Sequence, residues 1–301
     1  MSDSNQPHSA PFLADYRDFW WNPDFLELMA QRLKLDRVRT VLDVGCGKGH
    51  WGQMLLRFLS KEATLAGVDR EEKWVDEARV RAEKLQLGAR FTSVRGDANA
   101  LPFGESSFDL VTCQTLLMHV PDPESTLREM SRVLKPGGLL LVVEPSNLAN
   151  AGVSSSFSIN EPIADVVDRF RFNLTCHRGK MALGLGYSSI GDLLPGIFAK
   201  VGVKDIQVYL SDKASALFPP YEGTEQQTLI HQIKEWSDKD LFVGTKTETQ
   251  RLFLAGGGAE SEFERLWDIG LKENRALNSE VAKGAYYCGG AGIHYVVSAR
   301  R

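Results

Sequence analysis

An apolar run, Val41-Leu42-Asp43-Val44, leads straight into three glycines at alternate positions, Gly45, Gly47 and Gly49, with Cys46 between the first two. Glycines let a chain turn sharply and let its backbone approach a ligand with no Cβ in the way. The helix expected next presents free N–H groups and a positive dipole end to an anionic group, and Asp43 can attract a cation. A second parse exists: Gly47-Lys-Gly49-His-Trp-Gly52 fits G-x-G-x-x-G, the dinucleotide fingerprint. In that fold, however, the first glycine follows the strand almost at once and no acid precedes it. A purely structural glycine turn is the third reading. Asp69-Arg70 ends a second apolar run, where an acid can accept both hydroxyls of a ribose or cap the helix that begins near Glu71. Gly96-Asp97-Ala98 follows a third run and offers either an acceptor for an exocyclic amine, such as that of adenine, or a plain turn. Phe108–Gln114 leads to Leu116-Leu117-Met118-His119, and Leu134-Lys-Pro136-Gly137-Gly138 precedes the apolar run Leu139–Glu144.

The elements that must position these residues alternate in type. Residues 40–44, 64–68, 91–94, 108–113 and 139–144 are short apolar runs and predict strands. Between them the spacing predicts helices over 50–59 and 71–87, the latter with Trp74, Ala78, Ala82 and Leu85 on one face. A further helix is opened by Asp122-Pro123 and carries Leu127, Met130, Val133 and Leu134. Strand–helix alternation with apolar strands implies a parallel sheet covered on both faces. The second half is less regular. Residues 190–201 predict a helix, and 204–210 and 293–299 predict strands. About 80 residues of mostly helical pattern separate those two strands. The stripe Ile163, Val166, Phe170 reads as a helix core, and the aromatic residues of this region as a pocket lining or as packing.

Composition narrows the class. The 301 residues are 43% hydrophobic and 25% charged, with 35 basic and 39 acidic side chains and a formal net charge of −4. That balance argues against nucleic acid as a partner. No apolar stretch approaches the ~20 residues of a membrane helix, and the polar start carries no signal core. Cys46, Cys113, Cys176 and Cys288 form no C-x-x-C pair, so neither a zinc ribbon nor a disulfide scaffold is expected. A cytoplasmic protein acting on a small molecule, without a metal, is the expectation.

Taken together, the five motif segments resemble the class I S-adenosylmethionine-dependent methyltransferases, close to the ubiquinone/menaquinone-biosynthesis type, over roughly Arg39 to Pro145. The resemblance implies an α/β, Rossmann-like, seven-stranded and mostly parallel sheet, with S-adenosyl-L-methionine across the carboxyl ends of its first strands and S-adenosyl-L-homocysteine as product. By position it implies Gly45, Cys46 and Gly47 against the methionine part, with Asp43 near its amino group. It implies Asp69 and Arg70 at the ribose, Asp97 and Ala98 at the adenine, and Gln114 at the methionine end. Tyr16 and Trp20 fall in the segment that often closes over the cofactor in such enzymes. The long insertion between the last two strands departs from the family's usual hairpin.

Methyl transfer from a sulfonium needs above all an acceptor held in line. A base is needed only where the acceptor carries a proton that must leave. The candidate catalytic residues are His119, His177 and Glu144. His177, with Arg171 and Arg178 nearby, suits an acidic substrate group, against a solvated helix end. The organisation expected is a disordered tail (1–11), an N-terminal helical lid (12–35), a cofactor-binding core (36–146), a first cap insertion (147–189), a core helix and strand (190–210), a helical insertion (211–290) and a last core strand (291–301). The insertions offer surfaces for a homodimer. The alternatives are a cofactor-binding protein without methyl transfer and an RNA or protein methyltransferase.

Overall fold

The computed structural model describes residues 15–290 and 292–301; the tail expected over residues 1–11 lies outside the described residues. The chain divides into two compact units.

The first is the sheet unit, residues 21–146, 189–212 and 294–301. Its strands are β1 (Thr40–Val44), β2 (Thr64–Asp69), β3 (Phe91–Arg95), β4 (Phe108–Gln114), β5 (Leu134–Pro145), β6 (Lys204–Leu210) and β7 (His294–Arg300). They form one sheet in the order β3-β2-β1-β4-β5-β7-β6. The first five run parallel, and β7 lies antiparallel between β5 and β6. That antiparallel strand separates the fold from the all-parallel dinucleotide-binding order and decides against the dinucleotide parse of Gly47–Gly52.

The central strands are buried on both faces, as continuous apolar runs require. Val41, Leu42 and Val44 are inaccessible, as are Leu110, Val111 and Leu140. Helices α1 (Pro23–Leu33), α2 (His50–Leu55), α3 (Glu72–Lys84), α4 (Pro123–Val133) and, past the cap, Leu194–Val201 complete this unit. In α3, Trp74, Val75, Ala78 and Ala82 are buried, whereas Leu85 lies past its end and is exposed. At α4, Asp122 accepts the Ser125 N–H at 3.0 Å, with Pro123 opening the helix.

Two boundaries differ from those expected. The segment read as one lid is split: residues 15–20 group with the cap, while α1 belongs to the sheet unit and buries Phe25, Leu26, Met29 and Leu33. The fifth strand begins at Leu134 rather than Leu139, with an irregular register before Leu110 on its neighbour.

The cap unit comprises residues 15–20, 147–188 and 213–293. It holds a short turn of helix, α5 (Asn147–Asn150), the long α6 (Ile163–Ala182) and, after the helix α7 just described (Leu194–Val201), α8 (Thr224–Asp238), α9 (Lys246–Ala255) and α10 (Glu260–Ala282). Its main core joins Phe172 and Cys176 to Leu252, Phe253, Phe263 and Trp267. Gly179 of α6 and Gly256 beyond α9 leave no room for a side chain against the facing backbone, so the two helices meet main chain to main chain. This contact turns the Phe172/Cys176/Gly179 face inward. The expected core stripe is therefore corrected: Ile163 is 82% exposed, and Val166 and Phe170 are exposed too.

Candidate active site

The glycine segment forms a left-handed turn directly after β1. Gly45, Gly47 and Gly49 have φ of 67°, 52° and 81°, a region that L side chains avoid. A Cβ on Gly45 would also lie 2.6 Å from Leu116 Cδ1. The turn is tied to its neighbours: Cys46 N–H donates to the Val68 carbonyl at 2.9 Å, and Gly47 N–H donates to Asp69 Oδ2 at 2.9 Å. Asp69 also accepts the Glu71 N–H on Oδ1 at 3.0 Å. The two readings of Asp69 are thus compatible, because each carboxylate oxygen keeps further lone-pair capacity for a hydroxyl. Burial pushes the Asp69 carboxyl upward against those two N–H groups.

Asp43 is 1% exposed. Its Oδ2 accepts the Gly52 N–H at 3.0 Å, but Oδ1 is buried and makes no hydrogen bond among the described residues. Burial first, and the Asp69 charge to a lesser degree, push its carboxyl up to about 7. An unsatisfied buried carboxylate oxygen costs free energy unless a cationic or donor group meets it. Asp43 pairs with Thr112 in the sheet, so Gln114, two residues on, shares its face. Gln114 Nε2 is likewise buried and unsatisfied among the described residues. An open acceptor and an open donor thus lie one pleat apart, matching the ammonium and carboxylate of an amino acid. The resemblance placed Gln114 at the methionine end without a role for its side chain; the signal missed was a polar amide ending an apolar strand.

Asp97 stands exposed beyond β3, its Oδ1 accepting the Asn99 N–H at 2.8 Å. Gly96 N–H donates to the Asp69 carbonyl at 2.9 Å, which brings Asp97 and the half-buried Ala98 beside the end of β2. Arg70 points outward and pairs with Glu71 at 3.3 Å. Cys46 is buried, and burial raises its thiol well above the usual range. Tyr16 and Trp20 fall in the cap unit, Tyr16 buried near Phe19 and Trp20 under the Arg17 guanidinium at 4.6 Å.

The three catalytic candidates have different settings. Glu144 is inaccessible; its Oε1 accepts the N–H groups of Leu116 at 2.8 Å and Leu117 at 2.6 Å, and its Oε2 accepts that of Met118 at 3.4 Å. Those bonds hold the turn that follows Thr115, itself at a φ of 54°. His119 ends that turn, half-buried, its N–H donating to the Leu116 carbonyl. His177 is buried in the cap unit. Arg178 faces solvent, and Arg171 pairs with Asp168 and Glu262, so neither arginine joins the histidine.

A family model described as a methyltransferase domain matches residues 35–191. The chain belongs to this family. The methyltransferase domain is 33% identical over 137 residues to a demethylmenaquinone methyltransferase of Oceanobacillus iheyensis, covering 46% of this chain and 56% of the relative. It is 34% identical over 156 residues to a ubiquinone biosynthesis O-methyltransferase of Coxiella burnetii, covering 46% and 64%. The domain thus matches between about half and two thirds of the length of these curated relatives. Among solved structures, a putative methyltransferase from Bacillus halodurans superposes with a TM-score of 0.52 at 20% identity, over 92% of this chain and 98% of the other. A putative sarcosine dimethylglycine methyltransferase from Galdieria sulphuraria gives 0.50 at 15% identity, over 92% and 84%. Both likenesses bear on the fold.

Proposed function

We propose that this protein transfers a methyl group from S-adenosyl-L-methionine to a small, partly apolar acceptor. The observation that carries the reading is the unsatisfied Asp43 Oδ1, buried beside a positive-φ glycine turn that Asp69 braces. Asp43 and Gln114 would hold the amino-acid end, Asp69 the ribose, and Asp97 with Ala98 the adenine; Gly45, Cys46 and Gly47 give the backbone its close approach. The bound cofactor supplies an activated methyl group. The chain's own work is to orient the acceptor and exclude water. We assign His119 to taking a proton where the acceptor carries one, and Tyr16 and Trp20 to closing over the cofactor, as the family resemblance suggests. Both relatives are named for quinone substrates, which supports a flat, apolar acceptor. No helix among the described residues is long and apolar enough to cross a membrane. Four free cysteines support a reducing, cytoplasmic setting.

The direct test is calorimetry with S-adenosylhomocysteine, followed by incubation of a metabolite extract with deuteriomethyl-labelled cofactor. A saturable binding signal and one product carrying a trideuteriomethyl group are expected. No binding of either cofactor form overturns the reading.

Asp43 gives this site a pH signature. Its carboxyl titrates at about 7 in the folded protein against 3.8 when unperturbed. Between those values the folded chain keeps a proton that the unfolded chain has released, so this residue's contribution to stability falls as pH rises through the window. A ligand ammonium on Oδ1 favours the carboxylate. S-adenosylhomocysteine should therefore bind about 10-fold more tightly at pH 8 than at pH 6, as one ionisation near 7 requires. Asp43→Asn should bind more weakly and lose that dependence; equal slopes in the two proteins would remove Asp43 from the amino-group site.

A further inference from the structure

The sheet unit buries a donor that the cofactor positions do not use. Trp21 is 6% exposed, and its indole Nε1–H is buried and makes no hydrogen bond among the described residues. An indole N–H can only donate, and a buried donor without a partner costs free energy. The neighbouring indole shows the contrast. Trp51, its ring 5.2 Å from that of Trp21, donates from Nε1 to Thr112 Oγ1 at 2.8 Å. Two indoles thus stand side by side, one bonded to the sheet and one not.

The surface they cover follows from the register. Asp43 pairs with Thr112, and Thr112 with Leu141. One pleat further, Gln114 pairs with Val143 and Val143 with Val296; one further again, Pro145 pairs with His294. Directly paired residues, and residues two apart along a strand, share a face, so all of these lie on one side of the sheet. Trp21 packs on that side. The side chains lining the small cavity beside it, among them Phe25, Leu26, Met29, Leu141 and Val296, offer no oxygen acceptor. Its ring stacks on Phe25 and lies 6.3 Å from the His294 ring.

The positions proposed for the cofactor cross the sheet from Asp97 beyond β3, through Asp69 on β2 and Asp43 on β1, to Gln114 on β4. Trp21 stands past the end of that series, in ring contact with His294 at the start of β7. The amino-acid carboxylate already has the Gln114 amide as its donor. The open indole N–H therefore falls on the β5–β7 side, where no cofactor group is placed and an acceptor has room to lie alongside.

We propose that Trp21 Nε1–H donates to an oxygen of the methyl acceptor, a carbonyl or phenolic oxygen borne on an apolar ring. The donor is uncharged and its surroundings are largely hydrocarbon, so the oxygen it suits is a neutral one. This rests on the methyl-transfer reading above and adds to it the substrate group that is recognised.

α-Tetralone, a fused-ring ketone, is the probe, and tetralin, the same rings without the oxygen, is its control. Each is titrated into the full chain with and without saturating S-adenosylhomocysteine, and the indole N–H resonances are followed by heteronuclear NMR. The chain has six tryptophans, and Trp21→Phe identifies the resonance by removing it. Tetralone should move the Trp21 resonance downfield, and tetralin should not. Trp21→Phe should bind tetralone about 5-fold more weakly, the worth of one neutral hydrogen bond, with S-adenosylhomocysteine affinity held within about two-fold. Should the phenylalanine protein not fold, the parent spectrum decides alone: an indole resonance moves with tetralone and none with tetralin. Absent tetralone binding, an unmoved Trp21 resonance or an equal shift with tetralin overturns the proposal. So does a Trp21 resonance that reaches its bound position on S-adenosylhomocysteine alone, which gives the N–H to the cofactor. Failure of S-adenosylhomocysteine to bind the parent protein sinks the methyl-transfer reading instead, and the arm without it still reads the indole.

Discussion

Asp69→Ala is expected to weaken S-adenosylhomocysteine binding by about 100- to 1,000-fold while leaving a folded sheet. Two ribose hydroxyls on a charged carboxylate contribute about 1.5–3 kcal/mol each, and about 3–4 kcal/mol together corresponds to that loss. The same carboxylate holds the Gly47 and Glu71 N–H groups at 2.9 and 3.0 Å, so its removal also frees the glycine turn from β2. Asp69→Asn should be nearly as damaging. It keeps one acceptor oxygen, but its amide must face one of two backbone donors. Calorimetric titration checks both variants; an alanine protein that binds within about five-fold of the parent would leave Asp69 a cap and no more.

The parts of the fold that were legible in the sequence are those where local pattern and tertiary role coincide. β1, β2 and β4 are apolar because both their faces are covered, and each carries a residue that we propose for the site: Asp43 within β1, Asp69 closing β2, Gln114 closing β4. Asp122-Pro123 marked a helix start because capping is a matter of three residues. The cap resisted for the opposite reason. Ile163, Val166 and Phe170 have helical spacing, but spacing reports only that a face is apolar. Which face turns inward was settled by Gly179 meeting the α9 backbone at Leu252, far along the chain. In the site, Asp43 was legible by type and place, whereas its open Oδ1 and its neighbour Gln114 Nε2 emerge only once β1 and β4 are in register.

Glu144 makes the same point with the largest expected effect on stability. A carboxylate at the end of an apolar strand invites the role of base, yet its two oxygens already receive three backbone N–H groups. We assign it to holding the turn that carries Leu116 to His119. Glu144→Leu strands those donors in a buried site at about 1–3 kcal/mol each. With partial relaxation the sum is about 3–5 kcal/mol, a fall of about 10 °C in melting temperature for a domain of this size. Leu116 lies against Gly45, so a loosened turn should also weaken S-adenosylhomocysteine binding. Glu144→Gln separates the two roles. Its amide oxygen can still accept the Leu116 and Leu117 N–H groups, while its amide nitrogen cannot accept the long bond from Met118, so most of the melting temperature and the cofactor affinity should return. A positioning residue then leaves kcat close to that of the parent protein in the glutamine variant. A base does the reverse, because glutamine cannot take a proton: kcat collapses while melting and cofactor binding stay intact, and that result would return Glu144 to the chemistry.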